Sequence, residues 1–166
     1  MHITPARDEH LGAVNGLIAR SKAHWGWAPE YLAAALPLME VTPDYLRRNL
    51  CFEIRAGEGL AGFLSLVEAP RPLLDNLWIE PERIGQGFGR FACAQAFDLA
   101  GLRGWAELAT LPEPPAEGFY LRMGFRDTGE RIASRVRGGP VFCVFRKAFA
   151  PPPGVETPTW RKTPGV

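Results

Sequence analysis

The sequence has few cysteines, little net charge and no long apolar run. Its three cysteines, Cys51, Cys93 and Cys143, are far apart and odd in number, which fits neither a disulfide framework nor a zinc site. No apolar run approaches the ~20 residues that span a bilayer, and MHITPARDEH lacks the apolar core of a signal peptide. A net charge of +1 does not favour nucleic acid or a membrane surface. We therefore expect a cytoplasmic protein with no metal, nucleic acid or membrane partner.

The length and composition suit one globular domain. The chain has 166 residues, of which 46% are hydrophobic and 22% charged. From Pro151 onward, five prolines and the loss of periodicity predict a loosely ordered tail. We thus expect a single domain over residues 1–150 and a proline-rich tail over 151–166.

Hydrophobic spacing predicts a mixed α/β fold. Asp8 and Thr42 are placed to cap helices, and Pro29 can open another. The segment 51–67, with its Gly57-Glu58-Gly59 turn, indicates an antiparallel hairpin. Strands are predicted at residues 3–7, 51–55, 60–67, 73–79, 105–111, 126–134 and 141–149, and helices at 8–20, 29–37, 42–50, 89–102 and 117–123.

A glycine-rich loop joins the strand at 73–79 to the helix that follows. Gly85, Gly87 and Gly89 leave backbone N–H groups uncovered at the point where a helix begins. These amides and the helix dipole favour an anion, so the loop is typical of a phosphate site.

Two familiar phosphate motifs do not fit the loop. A dinucleotide fingerprint would need glycine at Arg90, and a P-loop would need Gly-Lys-Ser or Gly-Lys-Thr.

A second motif lies about thirty residues downstream of the loop, in AEGFYLRMGF at residues 116–125. The two pieces together resemble the GCN5-related N-acetyltransferase (GNAT) superfamily. Its cofactor motif reads Arg/Gln-x-x-Gly-x-Gly/Ala, and its next motif often reads Asn-x-x-Ala-x-x-Phe-Tyr-x-x-x-Gly-Phe. Gly87 and Gly89 match the first motif, and Phe119-Tyr120 with Gly124-Phe125 match the second. Ile84 replaces the Arg/Gln and the Asn is missing, so side-chain help to the cofactor is expected to be weaker.

The resemblance extends over residues 2–149 and is strongest over 73–125. It implies an α/β fold of GNAT type, with a mixed, largely antiparallel twisted sheet of six to seven strands, helices on both faces and a splayed central strand pair. The splayed strands are 73–79 and 105–111, with the pantetheine arm of acetyl-CoA between them and its pyrophosphate on the loop amides. The residues it assigns to this co-substrate are Leu77, Trp78, Ile79, Ile84, Gly85, Gln86, Gly87, Phe88, Gly89, Arg90 and Phe119. A homodimer through the last strands would also suit the superfamily.

The resemblance also suggests the catalytic groups. Tyr120 takes the place of a tyrosine that protonates the departing thiolate, although it could serve only in packing. Asp75 is the first candidate for the base that deprotonates the amine and Glu80 the second, with water relays an alternative. Asp75 could equally be a solvated strand carboxylate.

The segment SKAHWGW falls where the superfamily walls its acceptor pocket. We assign His24 and Trp25 to that pocket and Trp27 to packing at the helix junction. The implied function is transfer of an acetyl group from acetyl-CoA to a primary amine of a small metabolite or amino-acid-like acceptor, by direct attack in a ternary complex. The alternative is a GNAT-like module that senses acyl-CoA and acts through a protein partner.

Overall fold

Seven strands form one sheet in the computed structural model, which describes residues 1–68 and 70–149. The strands are β1 (His2–Pro5), β2 (Leu50–Ala56), β3 (Gly59–Val67), β4 (Leu73–Ile79), β5 (Glu107–Thr110), β6 (Arg126–Ala133) and β7 (Val141–Ala148). Their order across the sheet is β1-β2-β3-β4-β5-β7-β6. The tail predicted at 151–166 lies outside the described residues.

The central pair of strands is splayed, as predicted. β4 and β5 are parallel and pair only at Leu73 with Ala109 and Leu74 with Thr110, whereas every other neighbouring pair is antiparallel. The rest of β4, from Asp75 to Ile79, therefore leaves a gap on its β5 side. This arrangement confirms the mixed, largely antiparallel sheet.

Helices cover both faces of the sheet. They are α1 (Leu11–Ala23), α2 (Pro29–Ala35), α3 (Pro43–Arg48), α4 (Phe88–Leu102) and α5 (Glu117–Arg122). Successive side chains of a strand point to opposite faces, so β3 serves two cores. Phe63 packs with Val14 and Ile18 of α1, while Leu64 packs with Ala92 and Ala96 of α4.

The first helix differs from its prediction at both ends. Asp8 does not cap it: Asp8 begins a short 3-10 turn, and α1 begins at Leu11 with no side-chain cap. The helix also continues past Arg20 to Ala23, because Ser21 and Lys22 are buried against other parts of the chain rather than exposed at a helix end. The predicted cap at Thr42 is confirmed, since its Oγ1 accepts from the Tyr45 backbone N–H at 3.2 Å.

Within the described residues, no helix is both long enough and apolar enough to cross a membrane.

Candidate active site

A cavity of about 640 Å³ lies where β4 and β5 separate. Its wall is formed by the glycine-rich loop before α4, β4, the end of α1, and α5 with the segment that precedes it. The cavity brings together most of the residues predicted from the sequence: Trp25, Asp75, Leu77, Trp78, Ile79, Ile84, Gly85, Gly87, Gly89, Arg90, Phe119 and Tyr120.

The beginning of α4 has no side-chain cap. Gly87 has φ +89° and forms the N-cap, which offers no side chain to the first amides of the helix. The backbone N–H groups of Phe88, Gly89 and Arg90 are thus left to an outside acceptor. Gly85 also has a positive φ, +83°, which side-chain-bearing residues rarely adopt.

The third glycine of the loop is closely packed. A Cβ atom at Gly89 would lie 3.2 Å from Cζ of Phe119, closer than ordinary van der Waals contact. The α5 residue Phe119 therefore packs directly on the first turn of α4. This contact joins the two sequence motifs that carry the resemblance.

The side chains of two residues predicted to bind the cofactor do not line the cavity. Gln86 is exposed, and its Nε2 donates to the carbonyl of Glu82. Phe88 is buried beneath the guanidinium of Arg83, which lies 5.3 Å from the ring centroid. Arg83 consequently does not replace the missing Arg/Gln side chain, and Ile84, at that position, gives the cavity an apolar contact.

Two residues predicted near the acceptor also lie outside the cavity lining. His24 is exposed, with its ring edge against Trp25 at 5.3 Å between centroids. Glu80 is held by Arg20, whose Nε donates to its Oε2 at 3.1 Å. Of the two carboxylates considered as a base, only Asp75 lines the cavity.

Asp75 owes its position to a β-bulge. Ser65 of β3 pairs with Asn76, and the next β3 residue, Leu66, pairs with Leu74. Asp75 is the extra residue between them and has no partner on β3. A bulge of this kind re-aims a side chain, and here it leaves the Asp75 carboxylate exposed in the cavity.

A hydrogen-bond network holds that carboxylate. The Tyr45 hydroxyl donates to Asp75 Oδ2 and lies 2.7 Å from the hydroxyl of Ser65. Asn76 donates to the Tyr45 oxygen at 3.0 Å and accepts from the Trp78 indole N–H at 2.9 Å. Burial, reinforced by the Asp75 charge, raises the pKa of Tyr45, so its hydroxyl keeps its proton and stays a donor.

Tyr120 stands in a buried position beside the gap. Its side chain is only 7% exposed and packs edge-on against Phe125, 5.5 Å between ring centroids. Burial raises the pKa of Tyr120, and nearby Cys93 and Glu113 raise it further, while a hydrogen bond with Thr110 lowers it. The phenol is thus neutral at physiological pH and available as a proton donor.

A buried ion pair beside the cavity was not predicted. Lys22 of α1 is 1% exposed and binds Glu113, which lines the cavity. The spacing of the second motif could have pointed to Glu113 as a site residue. When the motif's Ala is placed on Ala116, Glu113 falls at the position of the superfamily's Asn. Nothing in the local pattern indicates that Lys22, 91 residues away, is its partner.

Comparison with known proteins identifies the family. The sequence profile of the Acetyltransferase (GNAT) family matches residues 19–125. No curated protein matches the sequence.

Several solved structures share the fold. A GCN5-related N-acetyltransferase from Rhodopseudomonas palustris superposes with a TM-score of 0.78 at 18% identity, covering 89% of this chain and 95% of that one. The PaiA N-acetyltransferase of Thermoplasma acidophilum, solved with coenzyme A, has a TM-score of 0.73 at 18% identity, covering 89% of this chain and 98% of that one. The ribosomal-protein-S18-alanine N-acetyltransferase of Escherichia coli has a TM-score of 0.66 at 19% identity, covering 94% of this chain and 99% of that one.

At these identities the structural likeness concerns the fold, and the family profile carries the assignment. The two sequence motifs, the splayed strands and the uncapped start of α4 agree with it. The chain belongs to the acetyltransferase (GNAT) family and is an acyl-CoA-dependent N-acetyltransferase.

Proposed function

We propose that this enzyme transfers the acetyl group of acetyl-CoA to a primary amine of a small metabolite or amino-acid-like acceptor. The observation that carries the proposal is one cavity that joins the uncapped start of α4 to Tyr120 and Asp75. A volume of about 640 Å³ must hold the reactive end of the cofactor as well as the acceptor, which favours a small acceptor.

The loop and β4 supply cofactor binding. Amides of Phe88, Gly89 and Arg90 would receive the pyrophosphate, because they lack partners within the helix and face the positive end of its dipole. Backbone groups of Leu77 to Ile79, which have no β5 partner, would bond the pantetheine arm along the gap. Gln86 and Phe88 take part through their backbone only.

Tyr120 and Asp75 supply proton transfer. The neutral amine attacks the thioester carbonyl carbon, a C–N bond forms, and the C–S bond breaks with its electron pair going to sulfur. Tyr120 gives its phenolic proton to that thiolate, and Asp75 takes the proton released by the amine. Because its pKa is raised, Tyr120 holds its proton in the resting enzyme.

The cysteines support direct attack over an acyl-enzyme. Burial raises the pKa of both Cys51 and Cys93 to about 12, so neither is a thiolate at neutral pH. The pKa of Cys143 is also raised, chiefly by a hydrogen bond to Glu117, and the residue does not line the cavity. All three are free thiols, which suits the reducing cytoplasm that we propose as its location.

An acceptor screen tests the proposal. Acetyl-CoA should raise the melting temperature of the full chain, and one or more members of a primary-amine panel should release CoA thiol in its presence. Absence of thermal stabilisation would contradict cofactor binding. Stabilisation without CoA release across the panel would instead favour the acyl-CoA-sensing alternative.

A further inference from the structure

The Lys22–Glu113 pair has no part in the mechanism above, although it lies at the wall of the cavity. Lys22 Nζ is surrounded by three rings, at 5.6 Å from Trp27, 5.2 Å from Tyr31 and 6.0 Å from Phe142. A lysine rarely accepts such burial unless it is paired, and its partner is Glu113.

Lys22 contacts only one of the two Glu113 carboxylate oxygens. Oε1 accepts from Nζ, whereas Oε2 is buried and has no hydrogen-bond partner within residues 1–68 and 70–149. Leaving a buried carboxylate oxygen without a donor is costly. Because the Glu113 side chain borders the cavity, a small rotation would open Oε2 to a donor on a ligand there.

Glu113 is close to the reacting groups. Its charge contributes to the raised pKa of Tyr120, so the two side chains are within electrostatic range. Thr110, three residues before it, donates to the Leu74 carbonyl at 3.0 Å and closes the end of the gap beside Asp75. Glu113 therefore lines the same cavity as Tyr120 and Asp75, within electrostatic range of Tyr120.

The cavity also offers aromatic surface. Trp25 follows Lys22 just past the end of α1, and its backbone N–H donates to the Lys22 carbonyl at 3.3 Å. The Trp25 and Trp78 residues both line the cavity. Both indoles are half-buried. Such faces suit the apolar or aromatic body of an acceptor.

We propose that Glu113, fixed by Lys22, anchors the acceptor: its Oε2 accepts a hydrogen bond from the amino group of a primary amine whose apolar or aromatic body packs on Trp25 and Trp78. The inference rests on the proposed function. Lys22 neutralises Glu113, so the pair orients the amine without holding it permanently as an ammonium. Asp75, which has no ion-pair partner among the described residues, remains the group that takes the proton.

The test measures preference for an amine over its hydroxyl analogue. 2-Phenylethylamine and 2-phenylethanol are titrated calorimetrically into the full chain saturated with CoA. The wild type should bind the amine roughly tenfold or more tightly than the alcohol, because the bond to a carboxylate is charge-assisted. Glu113→Gln should reduce that ratio to about twofold or less. Glu58→Gln, an exposed residue in the β2–β3 turn, is the matched control and should keep the wild-type ratio.

Two outcomes would overturn the proposal: an unchanged ratio in Glu113→Gln, or a wild type without preference or without measurable binding of the amine. The double variant Lys22→Met with Glu113→Leu guards against a folding defect, because it replaces the pair by apolar groups; it too should lose the preference while still binding CoA. Loss of CoA binding or of CoA release in the wild type is a separate readout, which would count against the proposed function instead.

Discussion

The two parts of the cavity wall that we propose for the cofactor and for the acceptor are built differently. The first, called the cofactor end, consists of backbone: the amides at the start of α4 and the free edge of β4. The second, called the acceptor end, consists of side chains from distant segments, with Lys22 and Glu113 meeting across 91 residues of sequence and Tyr45 and Asp75 across 30. A backbone site can be shared by a whole family with little sequence in common, whereas a side-chain site is specific to each member. The predictions below test this division, beginning with the largest expected effect.

Lys22→Met should be the most destabilising single change at the acceptor end. Removing the ammonium leaves a buried carboxylate unpaired, at a cost of about 3–5 kcal/mol. Adding Glu113→Leu should restore most of that stability. Denaturant unfolding measures both, with Arg20→Met as control. Arg20 lies on the same helix and pairs with Glu80, but its side chain is 55% exposed, so its loss should cost less, about 1 kcal/mol. Equal costs for Lys22→Met and Arg20→Met would contradict the buried pair.

Asp75→Asn should lower kcat roughly tenfold or more while leaving the acetyl-CoA dissociation constant unchanged. The amide cannot take the amine proton, yet it can still accept from Tyr45. Asp98→Asn, exposed on α4, provides the matched control and should behave as wild type. If Asp75→Asn retained full kcat with a saturating acceptor, water or another group would have to be the base.

Gly89→Ala should weaken acetyl-CoA binding several-fold, since its Cβ would press on Phe119 at 3.2 Å and shift the first turn of α4. Gly101→Ala, in the same helix, meets no atom within 4 Å. That variant should keep wild-type affinity and gain up to about 1 kcal/mol in stability. Calorimetry with acetyl-CoA compares the pair, and equal affinities would remove the packing argument for the third glycine.

Treatment with a thiol-alkylating reagent should have the smallest effect on acetyl-transfer activity. With pKa values of about 12, Cys51 and Cys93 should resist iodoacetamide at pH 7.5, and acetyl transfer should persist. Activity lost in step with incorporation of one label would point to a covalent acyl-enzyme.

Sequence alone supports the cofactor end because its signals are local. The glycine-rich loop before a helix and the Phe119-Tyr120 pair are visible as two short motifs, and the splay of β4 follows from the fold that they imply. The sequence placed the helix start at residue 89, whereas α4 begins at Phe88 with Gly87 as N-cap, and the contact of Phe119 with Gly89 was not predicted.

The acceptor end depends on which distant side chains meet. Burial of Lys22 and the β-bulge at Asp75 arise from tertiary packing, which periodicity does not encode. From the sequence, we assign His24 to the acceptor pocket for lack of such information. In the structure its side chain is exposed and does not line the cavity.

The central claim is that Tyr120 is the acid where the two ends meet, and Tyr120→Phe tests it most directly. We expect kcat at saturating acceptor to fall roughly tenfold or more, with acetyl-CoA affinity unchanged. Because the pKa of Tyr120 is raised, the wild type should not lose activity through its ionisation between pH 7 and its ordinary value of about 10. An unchanged kcat in Tyr120→Phe would contradict the account.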